Sequence, residues 1–211
     1  MAIPSDLSAG YRQFRAIRFA EEAGRYRSLS GGQQPTTMII GCADSRVDPA
    51  TIFSAGPGEL FVVRNVAALV PPCEDGGGYH GTSAALEFAV EGLKVSNIVV
   101  MGHGLCGGVA ASLTAASGDA VGRFIGPWVG LLQKVRDDML GADAHLSGDA
   151  RQRALEHLAV KQSLQNLRGF PFVQREEKRG ALRLHGAWFS IAEGQLEWLD
   201  EATGEFAPVR D

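Results

Sequence analysis

Two short clusters of residues could carry chemistry in this sequence. The first cluster, residues 41–47, contains Cys42. The second, residues 102–108, contains His103 and Cys106. Two thiolates and one imidazole are ligands that suit a zinc ion in tetrahedral geometry. A structural zinc site usually has four protein ligands, whereas three ligands leave a position open for water, so the clusters together predict a catalytic zinc site.

Each cluster alone has a plainer interpretation. A single cysteine after a buried strand is usually a small core residue, and a histidine among glycines is usually a loop residue. An H-x-x-C pair by itself is a weak signal. The presence of both clusters directly after predicted strands favours the metal site. Cys73 lies outside both clusters, so we do not expect it to be a ligand.

Charged and small residues beside the clusters have two interpretations each. Asp44 could be a fourth ligand or could hydrogen-bond to the ligands, and Arg46 could hold it by a bidentate pair. A loop salt bridge without a catalytic part is the competing interpretation. Gly107 and Gly108 could simply be small residues at the start of a helix. The N-terminus of that helix could also point toward the metal and an anion bound to it.

Three predicted strands must position the clusters. Residues 37–41, 60–64 and 97–101 are short, apolar and rich in Ile and Val, which is typical of strands buried on both faces of a parallel sheet. A predicted helix over 82–93 separates the last two, and this alternation indicates an α/β sheet. Because both clusters follow strand ends, we expect them at the sheet edge where ligands bind in open α/β sheets.

The sequence predicts a single α/β domain over residues 1–211, with a mainly parallel central sheet flanked by helices. An N-terminal helical arm and loop, residues 1–35, precedes the zinc-binding core, residues 36–211. Residues 10–27 form an amphipathic helix, which packs either on a neighbouring subunit or on its own domain. The remaining predicted elements are helices over 107–117, 120–140 and 150–168, and a C-terminal β-hairpin of 182–189 and 195–199.

Composition argues against several classes of protein. A chain of 211 residues with a net charge of −4 suits one domain and gives no electrostatic reason to propose a nucleic-acid or anionic-membrane partner. No stretch approaches the roughly 20 apolar residues of a membrane helix. The charged N-terminal segment is unlike a secretory signal, so we expect a cytoplasmic protein. Three cysteines do not indicate a disulfide framework.

From about residue 33 to residue 194, the sequence resembles the β-class carbonic anhydrases. The similarity centres on three segments, CADSRVDP at 42–49, GELFVVRNVAALVPP at 58–72 and SNIVVMGHGLCGG at 96–108. The paired motifs C-x-D-x-R and H-x-x-C at this separation are highly specific to that family.

The resemblance implies a zinc-dependent, reversible hydration of carbon dioxide to bicarbonate and a proton, by attack of zinc-bound hydroxide on CO2. It implies one Zn2+ per chain, bound by Cys42, His103 and Cys106. It also implies that Asp44, held by Arg46, accepts the hydroxide proton. The expected assembly is a homodimer, or a tetramer or higher oligomer, whose active site lies at the dimer interface.

The resemblance also implies a substrate pocket. Its residues here are Gln33, Phe61, Val66, Phe88 and Gly107. Gln33, nine residues before Cys42, resembles the substrate-binding glutamine of the plant-like subtype. Phe88 is a departure, because plant-like members often have tyrosine there. His80 is a candidate for exporting the proton.

One bacterial subtype of this family closes its zinc site at low pH, and bicarbonate stabilises the closed state from a pocket of Trp, Arg and Tyr. Here Ile39 and Phe189 occupy the Trp and Tyr positions, and only Arg64 is retained. Trp188, one residue from Phe189, is an alternative partner. This pattern indicates the plant-like subtype, in which we expect bicarbonate to be a weak effector.

Two other functions stay open. A hydrolase of carbon disulfide or carbonyl sulfide on the same scaffold would keep the zinc ligands and differ in access to the pocket. A non-catalytic zinc protein that senses bicarbonate is the second. Asp44, Arg46 and Gln33 argue against the sensor, because a structural zinc site needs none of them.

Overall fold

One mixed β-sheet organises the chain. The computed structural model describes residues 3–74, 76 and 78–210, so residues 1–2 and 211 of the predicted domain lie outside the described residues. The strands are β1 Thr37–Cys42, β2 Leu60–Asn65, β3 Asn97–His103, β4 Arg183–Ser190, β5 Gln195–Asp200 and β6 Glu205–Pro208. Their order across the sheet is β2-β1-β3-β4-β5-β6.

The parallel half of the sheet consists of β2, β1, β3 and β4. Every residue of β1 after Thr37 and of β3 after Asn97 is buried. Strands covered on both faces have no polar face, which explains their continuous apolar runs. The predicted α/β class is confirmed, and the strands extend slightly beyond their predicted ends, so Cys42 and His103 are the last residues of β1 and β3.

The C-terminal end of the sheet is antiparallel. β4 and β5 form the predicted hairpin, and its turn ends at Gly194, whose φ of 65° favours glycine. β6 then pairs with β5 as an additional edge strand that the sequence analysis missed. The run Glu205–Pro208 is short and contains a proline, so its sequence does not predict a strand. Proline is nevertheless tolerated in an edge strand.

The described residues form ten α-helices, three in the arm and seven in the core. They are α1 Ser5–Ala16, α2 Arg18–Glu21, α3 Ala23–Leu29, α4 Pro49–Ile52, α5 Gly81–Glu87, α6 Gly107–Ala116, α7 Ile125–Val129, α8 Gln133–Ala142, α9 Gly148–Leu167 and α10 Pro171–Lys178. The predicted helix over 82–93 ends in a π-helical turn, Phe88–Gly92. The helix predicted over 120–140 is divided by a 3-10 turn at Gly130–Leu132, in a stretch that also contains Pro127, because glycine and proline disfavour a continuous helix.

The main hydrophobic core lies between one face of the sheet and its covering helices. There, Val160 and Leu164 of α9 belong to the same buried cluster as Ile98 and Val100 of β3. The opposite face carries a smaller cluster around Ile39, Val99, Met101 and Ala187. Partly buried apolar side chains border that second face, and they leave an apolar groove that includes Leu60 and Trp198.

The N-terminal arm is helical, as the sequence predicts, but it bends twice. Ile17 and Glu22 leave helical geometry between α1, α2 and α3. The rings of Phe14, Phe19 and Tyr26 form a cluster with centroids 5.2 to 6.0 Å apart, and these contacts fold the arm back on itself.

No residue of α1, α2 or α3 is buried. Leu7 is 67% exposed and Tyr11 is 62% exposed. Arg25 attaches the arm to the core by donating hydrogen bonds to the Pro57 carbonyl at 2.9 Å and to Glu59 at 2.6 Å. Whether the arm packs on a neighbouring subunit therefore stays a prediction, and its exposed apolar side chains are the surface such packing would use.

None of the helices in the described part of the chain is both long and apolar enough to cross a membrane.

Candidate metal centre

The fold brings Cys42, His103 and Cys106 together at the carboxyl end of the sheet. Cys42 ends β1, His103 ends β3, and Cys106 precedes the first turn of α6. One ligand atom of each residue lies within 4.8 Å of the others, and all three side chains are at most 5% exposed. The predicted grouping of the two clusters therefore holds in three dimensions.

The donor set fits a tetrahedral metal ion. The sulfurs of Cys42 and Cys106 are 3.9 Å apart. Two sulfurs at about 2.3 Å from a tetrahedral zinc ion would be about 3.8 Å apart, whereas a disulfide bond is about 2.05 Å long. His103 Nδ1 lies 2.9 Å from the Gly104 carbonyl, and Nε2 is among the described buried polar atoms without a hydrogen-bond partner. A proton on Nδ1 leaves the Nε2 lone pair available for a metal.

The two buried thiols share their protons unequally. A hydrogen bond from Cys106 lowers the pKa of Cys42, and His103 and the backbone N–H groups of Asp44 and Ala67 add to this effect. The same contact with Cys42, together with burial, raises the pKa of Cys106. Two adjacent thiolates repel each other in a buried site, so a divalent cation is the group that would allow both to ionise.

A strained turn supplies one of these donors. Ala67 and Ala68 have φ values of 65° and 54°, in the left-handed region that residues with a β-carbon seldom occupy. Each such residue costs about 1 kcal/mol or more. The Ala67 backbone N–H is one of the groups that lower the pKa of Cys42, and Gly108 packs so close to the turn that a β-carbon there would lie 2.6 Å from Val66.

Asp44 and Arg46 form a bidentate pair at the edge of the metal centre. Arg46 donates from Nε to Oδ1 at 2.9 Å and from a terminal nitrogen to Oδ2 at 2.7 Å, and its backbone N–H also donates to Oδ1 at 3.0 Å. These bonds hold the pKa of Asp44 well below its usual range and raise the pKa of Arg46. Asp44 Oδ2 lies 3.9 Å from His103 Nε2, so the carboxylate borders the space a metal would occupy.

His103 responds to opposing influences. Burial lowers its pKa, but the Cys42 sulfur, the Gly104 carbonyl and the Asp44 charge outweigh burial, and the net shift of the pKa is upward. A proton and a metal ion therefore compete for this imidazole, because a histidine ligand must be neutral.

Arg64 organises the first cluster from β2. It donates to the Cys42 carbonyl at 2.7 Å and to the Asp44 carbonyl at 2.5 Å. Its other terminal nitrogen is 3.5 Å from Asp48, which caps α4. The guanidinium thus fixes the backbone of the loop that carries a ligand and the Asp44–Arg46 pair.

Sequence reasoning missed Glu156. This carboxylate on α9 is 2% exposed, and it accepts hydrogen bonds from the Cys106 backbone N–H at 2.9 Å and from Trp188 Nε1 at 3.1 Å. Burial raises the pKa of Glu156. One feature of the sequence could have indicated Glu156. It lies among Leu155 and Ala159 on the buried face of a helix, where a charged residue is unusual.

The predicted pocket residues divide into two groups. Val66 and Gly107 lie at the metal centre, beside the strained turn and at the start of α6. Phe61 and Phe88 pair with each other at a centroid distance of 5.8 Å. Phe61 lies opposite Met38, four positions from the Cys42–Asn65 pair, or roughly 13 Å along the strand.

Gln33, Cys73 and His80 lie outside the cluster of metal-binding atoms. Gln33 is exposed in the loop before β1. Cys73 is an exposed free cysteine, as expected for a residue outside the metal centre. His80 immediately precedes α5, and its role in proton export stays a prediction.

The sequence of this chain is similar to those of known carbonic anhydrases. The family model described as carbonic anhydrase matches residues 37–196. The chain is 33% identical over 192 residues to beta carbonic anhydrase 5, chloroplastic, and 37% identical over 190 residues to beta carbonic anhydrase 6, mitochondrial, both from Arabidopsis thaliana. These matches cover 91% and 89% of this chain, but only 63% and 64% of the relatives, so the chain spans less than two thirds of their length.

Solved structures have the same fold. The β-carbonic anhydrase CcaA superposes with a TM-score of 0.91 at 31% identity, and the match covers 97% of this chain and 98% of that one. One of two tetrameric β-carbonic anhydrases from the filamentous ascomycete Sordaria macrospora superposes with a TM-score of 0.83 at 28% identity, with 97% of each chain covered.

We expect the purified chain to bind one zinc ion, which metal analysis by plasma mass spectrometry measures. Cys42→Ser should lose most of this zinc, because a hydroxyl does not replace a thiolate ligand. Cys73→Ser is the matched control and should keep full occupancy. Full zinc occupancy in Cys42→Ser would contradict the assignment.

Proposed function

This chain belongs to the β-class carbonic anhydrase family, and on that premise we propose that it catalyses the reversible hydration of carbon dioxide to bicarbonate and a proton at one bound zinc ion. The observation that carries the proposal is the three-ligand cluster of Cys42, His103 and Cys106, with Asp44 Oδ2 3.9 Å from His103 Nε2. Three ligands with a restrained carboxylate beside them suit a catalytic site, because a structural zinc site uses a fourth ligand and no such carboxylate.

Zinc, when bound, would lower the pKa of a water molecule toward neutrality, although the two thiolates cancel its formal charge and so weaken the effect relative to an all-imidazole site. Asp44 has a separate part in the reaction. Arg46 donates two hydrogen bonds to Oδ1 but only one to Oδ2, so Oδ2, which lies 3.9 Å from His103 Nε2, keeps a second lone pair free. That oxygen would accept the hydrogen of the attacking oxygen atom and orient its lone pair toward carbon dioxide.

The strongly lowered pKa of Asp44 keeps this residue an acceptor at every pH at which the enzyme would work. The pairing with Arg46 stabilises the folded state above the ordinary aspartate pKa. This contribution is lost only as pH falls through the lowered value, which lies well on the acid side. Protonation of His103 or of the cysteines, rather than of Asp44, would therefore end activity in acid.

The substrate pocket is proposed to form between two copies of the chain. Val66 and Gly107 would line it from the copy that holds the metal, and Gln33, Phe61 and Phe88 from its neighbour. Phe61 lies roughly 13 Å along β2 from the residue paired with Cys42, which supports this division. Carbon dioxide is small and apolar, so phenyl and isopropyl groups can hold it, while the Gln33 amide can donate to an oxygen that gains charge.

A homodimer, or a tetramer or higher oligomer built from such dimers, follows from that pocket. The exposed Leu7 and Tyr11 of the arm, and the apolar groove lined by Ile39, Val99 and Trp198, would supply the contact surfaces. The Sordaria macrospora relatives are tetrameric. Light scattering of the intact chain measures this oligomeric state.

The cytoplasmic location also stays a prediction, and cell fractionation tests it. The two Arabidopsis relatives are named chloroplastic and mitochondrial.

Stopped-flow measurement of carbon dioxide hydration by the zinc-loaded protein tests the proposed function. We expect hydration that a metal chelator abolishes and zinc restores. Parallel assays with carbonyl sulfide and carbon disulfide should release little sulfide. Faster sulfide release than hydration would instead establish the hydrolase, and zinc binding without either activity would favour the non-catalytic zinc protein.

Arg46→Ala should reduce hydration by about 10²–10⁴-fold while zinc stays bound, because a released Asp44 can reach the metal as a fourth ligand. The double variant with Asp44→Ala should lose little more than the single variants, since groups that act as a unit are non-additive. Arg168→Ala, which breaks an exposed pair with Glu201, is the control and should be active. Multiplicative losses would show that Asp44 and Arg46 act independently.

We expect bicarbonate to be a weak effector of this protein. Ile39 has no ring N–H and Phe189 has no hydroxyl, so a bound bicarbonate would lack two partners, each worth about 1–3 kcal/mol. Trp188 does not replace them, because its Nε1 donates to Glu156 and neighbouring residues of a strand face opposite sides of the sheet. Arg64 is bound to backbone carbonyls.

The hydration rate as a function of pH and bicarbonate concentration checks this expectation. The rate should fall gradually on the acid side, with little change when bicarbonate is added. A steep, cooperative loss that bicarbonate deepens would contradict it, because a ligand shifts an equilibrium only by its different affinity for the two states.

A further inference from the structure

Two side chains of α9 hold the backbone of Cys106. The Cys106 N–H donates to Glu156 Oε1 at 2.9 Å, and Gln152 Nε2 donates to the Cys106 carbonyl at 3.2 Å. Gln152 and Glu156 are four residues apart and therefore neighbours on one face of the helix. Gln152 Nε2 also donates to Glu156 Oε1 at 3.0 Å, which couples the two side chains.

Glu156 connects three elements through its two oxygens. Oε1 binds the loop before α6, and Oε2 accepts a hydrogen bond from Trp188 Nε1 on β4 at 3.1 Å. The side chain itself is 2% exposed and belongs to α9. A buried carboxylate is expensive without hydrogen-bond donors, so these N–H groups determine where the carboxylate lies, and the carboxylate in turn determines where the loop lies.

The loop between His103 and Cys106 does not hold its shape by itself. Leu105 has a φ of 54°, which is strained for a leucine. Its carbonyl accepts from Arg46 at 3.2 Å, and the Gly104 carbonyl lies 2.9 Å from His103 Nδ1. These contacts join the loop to the predicted site residues on one side, and Glu156 joins it to the core on the other.

We propose that Glu156, assisted by Gln152, is a positioning residue of the metal centre: it sets the place of the Cys106 sulfur relative to Cys42 and His103 by holding the Cys106 backbone. This inference rests on the proposed zinc site. Glu156 touches no ligand sulfur in its hydrogen bonds, and it acts through Cys106. Removing its oxygens should therefore weaken metal binding and alter the ligand field more than it alters folding.

Glu197 offers a matched control. It is also a buried glutamate, at 7% exposure, and it also contacts α9, through Arg153 and through His157 at 3.4 Å. Its hydrogen bonds in the described residues do not reach the loop before α6. Glu156→Met and Glu197→Met remove the same carboxylate chemistry and replace it with a similar volume, but only Glu156→Met removes a hydrogen bond to the backbone of Cys106.

The experiment measures three properties of each variant of the full chain. Competition with a chromophoric chelator gives the zinc dissociation constant, the visible spectrum of the Co2+-substituted protein reports thiolate ligation, and thermal unfolding of the metal-free protein reports the fold. Glu156→Met should raise the zinc dissociation constant by about 10–100-fold and change the Co2+ spectrum. Glu156→Gln, which keeps one acceptor oxygen, should recover part of the affinity. Glu197→Met should change only the unfolding temperature.

Wild-type affinity and an unchanged Co2+ spectrum in Glu156→Met would overturn the proposal, as would an equal loss in Glu197→Met. If metal-free Glu156→Met does not unfold cooperatively, Gln152→Ala tests the positioning role in its place. Gln152→Ala should weaken zinc binding several-fold and keep the unfolding temperature of the wild-type protein. An unchanged affinity in Gln152→Ala would then reject the role. The wild-type protein separates the two hypotheses: if it shows no thiolate-to-Co2+ band, the zinc site itself is wrong, whereas a normal band with insensitive variants refutes only the positioning role.

Discussion

The rest of the site depends on the enforced proximity of two buried sulfur atoms. Cys42 and Cys106 lie 3.9 Å apart and almost out of contact with water, where two negative charges would repel strongly without a cation. The parallel sheet imposes this proximity, because β1 and β3 are hydrogen-bonded neighbours that end at the same edge. The two sulfurs and the imidazole at that edge form a group that could hold a metal ion.

Hydrogen bonds restrain the two loops that follow β1 and β3, beside Cys42 and around Cys106. Arg64 holds the loop after β1 through two backbone carbonyls, and Glu156 holds the loop after β3 through the Cys106 N–H. Arg46 joins the two loops, since it pairs with Asp44 in the first and donates to the Leu105 carbonyl in the second. Charged groups thus act here chiefly as donors and acceptors for backbone, which gives the metal ligands fixed positions before any metal arrives.

Several features of the single chain are consistent with the proposed assembly. An arm whose three helices have no buried residue, and a sheet face with an apolar groove, expose apolar surface to water. Phe61, which pairs with Phe88, lies on β2 four positions from the residue opposite Cys42, so this aromatic pair is distant from the chain's own two sulfurs. The proposed pocket between two copies would account for all three features with one arrangement.

The sequence by itself determined the α/β class and the three core strands, because apolar periodicity is local. It also singled out Cys42, His103 and Cys106 as a group, because Cys and His have chemistry that other residues lack. It also placed Asp44 and Arg46 together, since they are two residues apart. Only the tertiary structure decided that the arm bends at Ile17 and Glu22, that β6 closes the sheet edge, and that Glu156 reaches Cys106 across 50 residues of chain. These features arise from contacts between distant segments, and a buried glutamate or a strained alanine carries no local pattern that names its partner.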